Sequence, residues 1–434
     1  MIQFERFELT NGLKVLFHKD MTTPMAVVNT LYDVGARDES ENQTGFAHLF
    51  EHLMFGGSIN IPEFDSPLQN AGGESNAFTS NDITNYYNLL PAQNIETALW
   101  LESDRMLSLA FSKKSLEVQR SVVIEEFKQN YLNQPYGDVW LELRPLAYQI
   151  HPYKWATIGK EIKHIEDATL DDVKAFFKKY YHPSNAILCI AGNFELADVK
   201  TMVQKWFGDI PKRKKPPRII PAEPKQEALR IKRIERDVPA DCFYYAFKMA
   251  ERKSEGYYIA DVLSDELSKE KSSKLYLQLK KELQLVTEIN TYILGSIDEG
   301  LLVITGKIAT GKTLEELDAA LWLVLDQYKS IPISDQELKR LKLKIRTSRE
   351  FQEQGLLNRA MNLCFYELLG DANGINEEAQ IYQAIEASHL LELAQSILRK
   401  ENCSLLQVKS IPIGSSKNIP SKKKSISKVK SIKK

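Results

Sequence analysis

The chain has 434 residues, too many for a single hydrophobic core and enough for two domains of roughly 200 each. Charged residues make up 26% and hydrophobic ones 43%, and Lys+Arg 57 against Asp+Glu 58 leave a formal net charge of -1, a globular balance that gives no reason to expect nucleic acid as a partner. No stretch approaches the ~20 apolar residues of a membrane span, and the opening "MIQFERFELTNGLKVLF" sets Glu5 and Arg6 ahead of any apolar run, so neither a membrane anchor nor an export signal is expected.

Taken in chain order, the first half reads as mixed α and β. "GLKVLFHK" and "MAVVNTLYDVG" alternate as strands, helical stretches follow at 45–55, 92–109 and 114–133, and "NAILCIAGNF" is a further strand. The proline- and lysine-rich "IPKRKKPPRIIPAEPKQ", residues 210–226, breaks both periodicities and marks the expected boundary between a domain at 1–210 and a second at 226–414. The second half repeats the style, with strands at "DCFYYAFKMA" and "GLLVITGKIA" and helices at 254–282, 313–328, 334–353 and 376–399, as an old duplication would leave it. The tail 415–434, rich in lysine and without an acidic residue, is expected to be disordered and solubilising. Cys189, Cys242, Cys364 and Cys403 lie without CxxC spacing and are expected as reduced thiols in a cytoplasm.

"HLFEH", residues 48–52, sets two imidazoles four apart with a carboxylate just before the second. On a helix, residues four apart share a face about one turn from each other, so His48 and His52 can both bond one ion, and Glu51 beside them can reach a water on it. The helix has its punctuation: Gly45 opens an apolar run of Phe46, Leu49, Phe50, Leu53 and Met54, and Gly56-Gly57 closes it. An HxxEH string arises by chance in roughly 1 in 100 chains of this composition, so companions must decide its meaning. "EVQRSVVIEEFKQNY" supplies one, because Gln119, Val122, Val123 and Glu126 share a helical face, with Glu125 turned about 100° away toward solvent. Two histidines and one carboxylate leave a fourth zinc position open, the catalytic pattern.

The motif resembles the inverted zinc motif of the pitrilysin and insulinase metallopeptidases, and "LTNGLKVLFHKD", "VGARDESENQTGFAHLFEHLMFGGS", "NAGGESNAFTSNDITNYYNLLP" and "RSVVIEEF" follow in that family's order, closest to its processing-peptidase branch. The resemblance implies an α+β fold of two homologous α/β-sandwich domains, each a mainly antiparallel sheet packed with helices. It implies one zinc ion per chain on His48, His52 and Glu126, with Glu51 as general base, in an endopeptidase acting on unfolded or extended peptides inside a dimeric chamber. It implies that Asn76, Ala77, Phe78 and Thr79, in a segment whose alternation suits an edge strand, bind substrate backbone. Gln119 stands where family members often carry a second acidic residue, and is expected to orient the site without adding charge. Lys280 and Thr287 stand where the family uses an Arg and a Tyr, so the missing pair is expected from a homologous partner in a heterodimer, with a homodimer, or Lys280 with a local tyrosine such as Tyr292, as the alternatives. A bacterial cytoplasm is the implied setting, and a non-enzymatic assembly subunit of the same fold is the rival function.

Other motifs carry less. "GKIATGKT", Gly306 to Thr313, matches a phosphate loop, but no magnesium-binding Asp follows at the end of another strand, and a continuing strand with a Thr313/Glu316 capping box reads more simply. His18, His151, His164, His182 and His389 have no ligand partner at i+3 or i+4 and are expected on the surface or in loops. Leu53, Met54 and Phe55 are expected in the core.

Overall fold

A computed structural model describes residues 1–411, so the tail at 415–434 lies outside the described residues. It contains two sheets. The first is six-stranded, in the order β1 (Glu5–Glu8), β2 (Lys14–Lys19), β6 (Ala186–Gly192), β3 (Met25–Tyr32), β5 (Thr84–Pro91), β4 (Glu74–Thr79). The second is five-stranded, in the order β7 (Arg230–Arg236), β11 (Cys403–Ser410), β8 (Cys242–Met249), β10 (Gly300–Ile308), β9 (Val286–Leu294). In each sheet one pair is parallel, β2 with β6 and β7 with β11, and every other pair is antiparallel. The two halves therefore share strand order and pairing sense, with β1 as an addition to the first.

The inner strands of the first sheet are largely apolar on both sides because both sides are covered. Val15, Phe17, Val28, Tyr32, Leu188 and Ile190 face a helical layer that includes α1 (Phe46–Leu53), α2 (Ile95–Leu107), α3 (Lys113–Phe127), α4 (Leu170–Tyr180) and α5 (Leu196–Phe207). Their neighbours Leu16, Val27, Leu31, Ile187 and Cys189 face the opposite way. In the second sheet Phe243, Tyr245, Phe247, Leu302 and Ile304 pack on a core that includes residues of α6 (Glu255–Ser264), α7 (Leu314–Tyr328) and α8 (Asp335–Gln352).

The remaining faces are closed by exchange. Helix α9 (Leu356–Leu369), from the second half of the chain, lays Leu356, Ala360, Leu363 and Cys364 on the back of the first sheet. The short helix Val139–Ala147, from the first half, lays Val139, Leu143 and Ala147 on the back of the second, against Leu301, Val303, Leu406 and Val408. Ion pairs fix α9 in place: Glu367 receives Arg6 at 2.7 Å and Lys14 at 3.3 Å, and Arg359 reaches Asp20. Residues 211–229 form neither helix nor strand, yet they are strapped down, with Arg218 on Asp33 and Asp38, and Glu223 accepting the backbone N–H groups of Gln149, Ile150 and His151.

The structure corrects several expectations. The helix read across 254–282 is interrupted, because the Ser273 hydroxyl accepts from the Glu270 N–H and offers the backbone a local alternative to the helical ladder. The helix read across 376–399 is two, α10 (Gly374–Ala384) and α11 (Ala387–Ile397), with His389 Nδ1 accepting from the Glu386 N–H at the new start. His18 is neither on the surface nor in a loop, being buried within β2 and bonded to the Gln3 carbonyl, while His151 and His182 lie in loops as expected but are buried, His151 meeting Asp298 and His182 bonding the Lys179 carbonyl. The stretch from Gly306 to Thr313, by contrast, is as expected, the end of β10 and a turn, with Thr313 and Glu316 exchanging capping bonds at the start of α7.

Candidate metal centre

Helix α1 is held at its entrance by a residue outside it. Gly45 sits at φ +87, where a Cβ would lie 2.7 Å from the Ile158 carbonyl oxygen, and it has no side chain with which to cap. Glu39 takes over that role: its carboxylate accepts the Gly45 N–H at 2.9 Å and the Ala47 N–H at 2.8 Å. No local spacing rule finds such a cap from six and eight residues upstream, and the sequence reading missed it. Burial drives the Glu39 carboxyl up to about 8 against the pull of those two N–H groups. A carboxyl raised in the folded state above its ordinary value of 4.5 contributes stability that is complete below that value and is lost as pH rises through about 8. Glu39→Gln keeps an acceptor and removes the titration, so its thermal midpoint is expected to gain on the wild type's as pH is raised from about 5 to about 9. Midpoints that stay parallel across that range would contradict it.

The buried face of α1, Phe46, Leu49, Phe50 and Leu53, turns the polar triplet to the other side. Phe50 stacks on Tyr181 with centroids 5.1 Å apart, which fixes the roll of the helix. Leu53 and Met54 join the core, and Phe55 packs edge-on against Phe64. His48 and His52 then stand as an edge-to-face pair, centroids 4.8 Å apart, each partly open to solvent.

Glu126 arrives on α3, whose start is capped by Ser112 accepting the Ser115 N–H. Leu116, Val123 and Phe127 are that helix's buried face. Val122, placed on the inward face by its spacing, is 40% exposed instead, because the buried stripe runs one position to its side. Glu125 turns outward to pair with Lys128 at 2.7 Å. Glu126 Oε2 lies 3.6 Å from His48 Nε2 and 3.4 Å from His52 Nε2, and the three donor atoms all fall within 4.8 Å of one another. Tetrahedral zinc with bonds of 2.0–2.1 Å sets its donors roughly 3.3–3.4 Å apart, so this set fits such an ion.

The electrostatics favour the same reading. Burial, with His52 beside it, holds His48 down to about 4, so its imidazole is neutral near pH 7 and has a lone pair to give. Burial raises the Glu51 carboxyl, the Thr79 hydroxyl and then His52 draw it back, and Glu126 adds to the rise. His48 Nδ1 is buried without a hydrogen-bond partner among the described residues, so packing orients this ring. Gln119 is half-buried two turns before Glu126.

Strand β4 lies at the sheet edge, bonded only to β5. Ala77 and Thr79 are partly buried, while Asn76 and Phe78 on the other side are exposed, Phe78 at 40%. The Asn76 side chain accepts the Ala77 N–H at 2.8 Å, and the Thr79 hydroxyl donates to Glu51 Oε2 at 2.6 Å. In the second half, Lys280 lies over the Tyr276 ring at 5.2 Å and Thr287 is exposed on β9. Tyr292 packs on the apolar layer of Val139, Leu143, Leu301 and Val303.

Known proteins resemble this chain over most of its length. The family model described as "Insulinase (Peptidase family M16)" matches residues 14–160, and the one described as "Peptidase M16 inactive domain" matches residues 167–345. The zinc protease PqqE of Helicobacter pylori is 28% identical over 401 residues, 91% of this chain and 90% of that protein. The mitochondrial-processing peptidase subunit beta of Saccharomyces cerevisiae is 29% identical over 212 residues, 48% of this chain and 45% of that protein. The crystal structure of a protease from Helicobacter pylori superposes with a TM-score of 0.88 at 27% identity, covering 94% of this chain and 100% of that one.

Proposed function

From its membership of the M16, or insulinase, peptidase family, to which this chain belongs, we propose that it is a zinc-dependent endopeptidase that cuts unfolded or extended peptides. One observation carries the reading: two imidazoles and a carboxylate from separate helices converge at zinc-donor spacing, with a second carboxyl group next to one of them. His48, His52 and Glu126 would hold the ion, which when bound supplies Lewis acidity, lowering the pKa of a water toward ~7 and polarising the scissile carbonyl. Glu51 accepts the proton of the attacking water and returns it to the leaving amine. The free edge of β4 pairs with the backbone of an extended peptide at Asn76, Ala77, Phe78 and Thr79, which suits unfolded substrates because folded ones leave little of their backbone extended and unpaired. Gln119 steadies the ligand helix two turns from Glu126.

Lys280 and Thr287 are not an Arg and a Tyr, and Tyr292 is committed to a core layer, so the chain is proposed to work in a heterodimer whose homologous subunit supplies the missing pair. The yeast relative's name as a subunit supports that arrangement. Four free, buried cysteines fit the cytoplasm of a bacterial cell. The rival reading, an assembly subunit without activity, is disfavoured because the inactive-domain match begins at residue 167, beyond all four site residues.

The test is chelation. The chain with its partner is expected to carry one zinc per chain, to stop cutting a quenched peptide library when the ion is stripped, and to recover when zinc is returned. Undiminished cleavage by the stripped protein would overturn the reading, and full activity as a homodimer would overturn the heterodimer.

A further inference from the structure

The Thr79 hydroxyl does not serve the open edge of its strand. It turns toward α1 and donates to Glu51 Oε2 at 2.6 Å, the one side-chain hydrogen bond that Glu51 makes among the described residues. A glutamate has three rotatable bonds, so a carboxylate asked to meet a water at one position benefits from a fixed partner on one oxygen, which leaves the other as proton acceptor.

The second half holds an independent counterpart. Because β8, β10 and β9 pair as β3, β5 and β4 do, β9 stands in the place of β4, and the wide helical turn Asp265–Lys269 that continues α6 stands in the place of α1. There Ser268 donates to Thr291 Oγ1 at 2.9 Å, from helical turn to edge strand. That half has no candidate metal cluster among the described residues. The tie between helix and edge strand thus recurs in both halves, and in the first its acceptor is the carboxylate beside the metal ligands.

We propose that Thr79 is a positioning residue for Glu51, fixing the carboxylate through its hydroxyl so that the strand that docks the peptide also orients the base. This rests on Glu51 being the general base. The experiment compares Thr79→Val and Thr79→Ser with wild type and Glu51→Gln, in the complete protein with its partner, on one peptide substrate. Thr79→Val is expected to retain zinc and KM and to lose about 10- to 100-fold in kcat, the scale of a misplaced catalytic group, while Thr79→Ser stays near wild type. Wild-type kcat in Thr79→Val, or a deficit that falls in KM, overturns the inference. Should Thr79→Val fail to fold, Thr79→Cys, a weaker donor of similar size, gives an intermediate kcat if the inference holds and wild-type kcat if it does not. An active Glu51→Gln overturns the base assignment and this inference with it, whereas an inactive Glu51→Gln beside a fully active Thr79→Val overturns the inference alone.

Discussion

Glu51→Gln is expected to bind zinc as wild type does and to lose about 10²- to 10⁴-fold in kcat, the range contributed by a positioned general acid and base. The substitution leaves His48, His52 and Glu126 untouched, so the donor set, with its carboxylate 3.4–3.6 Å from the two imidazoles, survives. The amide oxygen of glutamine can still accept the Thr79 hydroxyl, so the side chain keeps its bond and its rotamer. What it loses is the capacity to take a proton. Loss of activity with zinc retained therefore isolates proton transfer from metal binding, which removal of a ligand cannot do. Metal analysis and steady-state kinetics on the same preparation check this, and equal cleavage by the two proteins would remove Glu51 from the chemistry.

The candidate metal centre is legible in the sequence where its information is local. Helical geometry alone puts His48 and His52 on one face, and sets Glu126 on the face of Gln119 and Val123 with Glu125 about 100° away. That the two helices approach each other is not local, and the family resemblance supplied it. The same limit explains what was missed. Nothing near α9 says that Leu356, Ala360, Leu363 and Cys364 belong against strands more than 150 residues earlier, since an apolar helix face records only that it is covered, not by what. The lack of a ligand partner at i+3 or i+4 says nothing of burial, and His18, His151 and His182 are all buried, against the Gln3 carbonyl, Asp298 and the Lys179 carbonyl respectively. The helices broken near Glu270 and Glu386 were read as continuous because their apolar period runs on, while a serine hydroxyl and a histidine ring redirect the backbone.

The exchange of covering helices bears on how the chain responds to damage. With Val139–Ala147 closing the second sheet and α9 closing the first, neither half buries its own sheet unaided, and loss of one is expected to expose the other. The candidate metal site sits on the larger core, between α1 and α3, so its geometry depends on what locks that core.

The lock with the largest expected effect on stability is Arg105. Its guanidinium is 1% exposed and paired with Glu102, itself fully buried three residues earlier on α2. It also lies over Tyr86 at 4.4 Å and Phe64 at 4.5 Å, joining the sheet to the chain that leaves α1. Arg105→Met fills similar volume but strands the Glu102 carboxylate with no cation, and only Asn88 still donates to it. Breaking one side of such a buried pair costs about 3–5 kcal/mol, and at roughly 2–4 °C for each kcal/mol the thermal midpoint is expected to fall by about 10 °C. Adding Glu102→Gln removes the stranded charge while keeping the acceptor for Asn88, so the double variant should regain most of that loss. The two outcomes separate charge burial from packing: if the double variant melts as low as Arg105→Met, the cation's contacts with the rings carry the stability, and the ion pair contributes little.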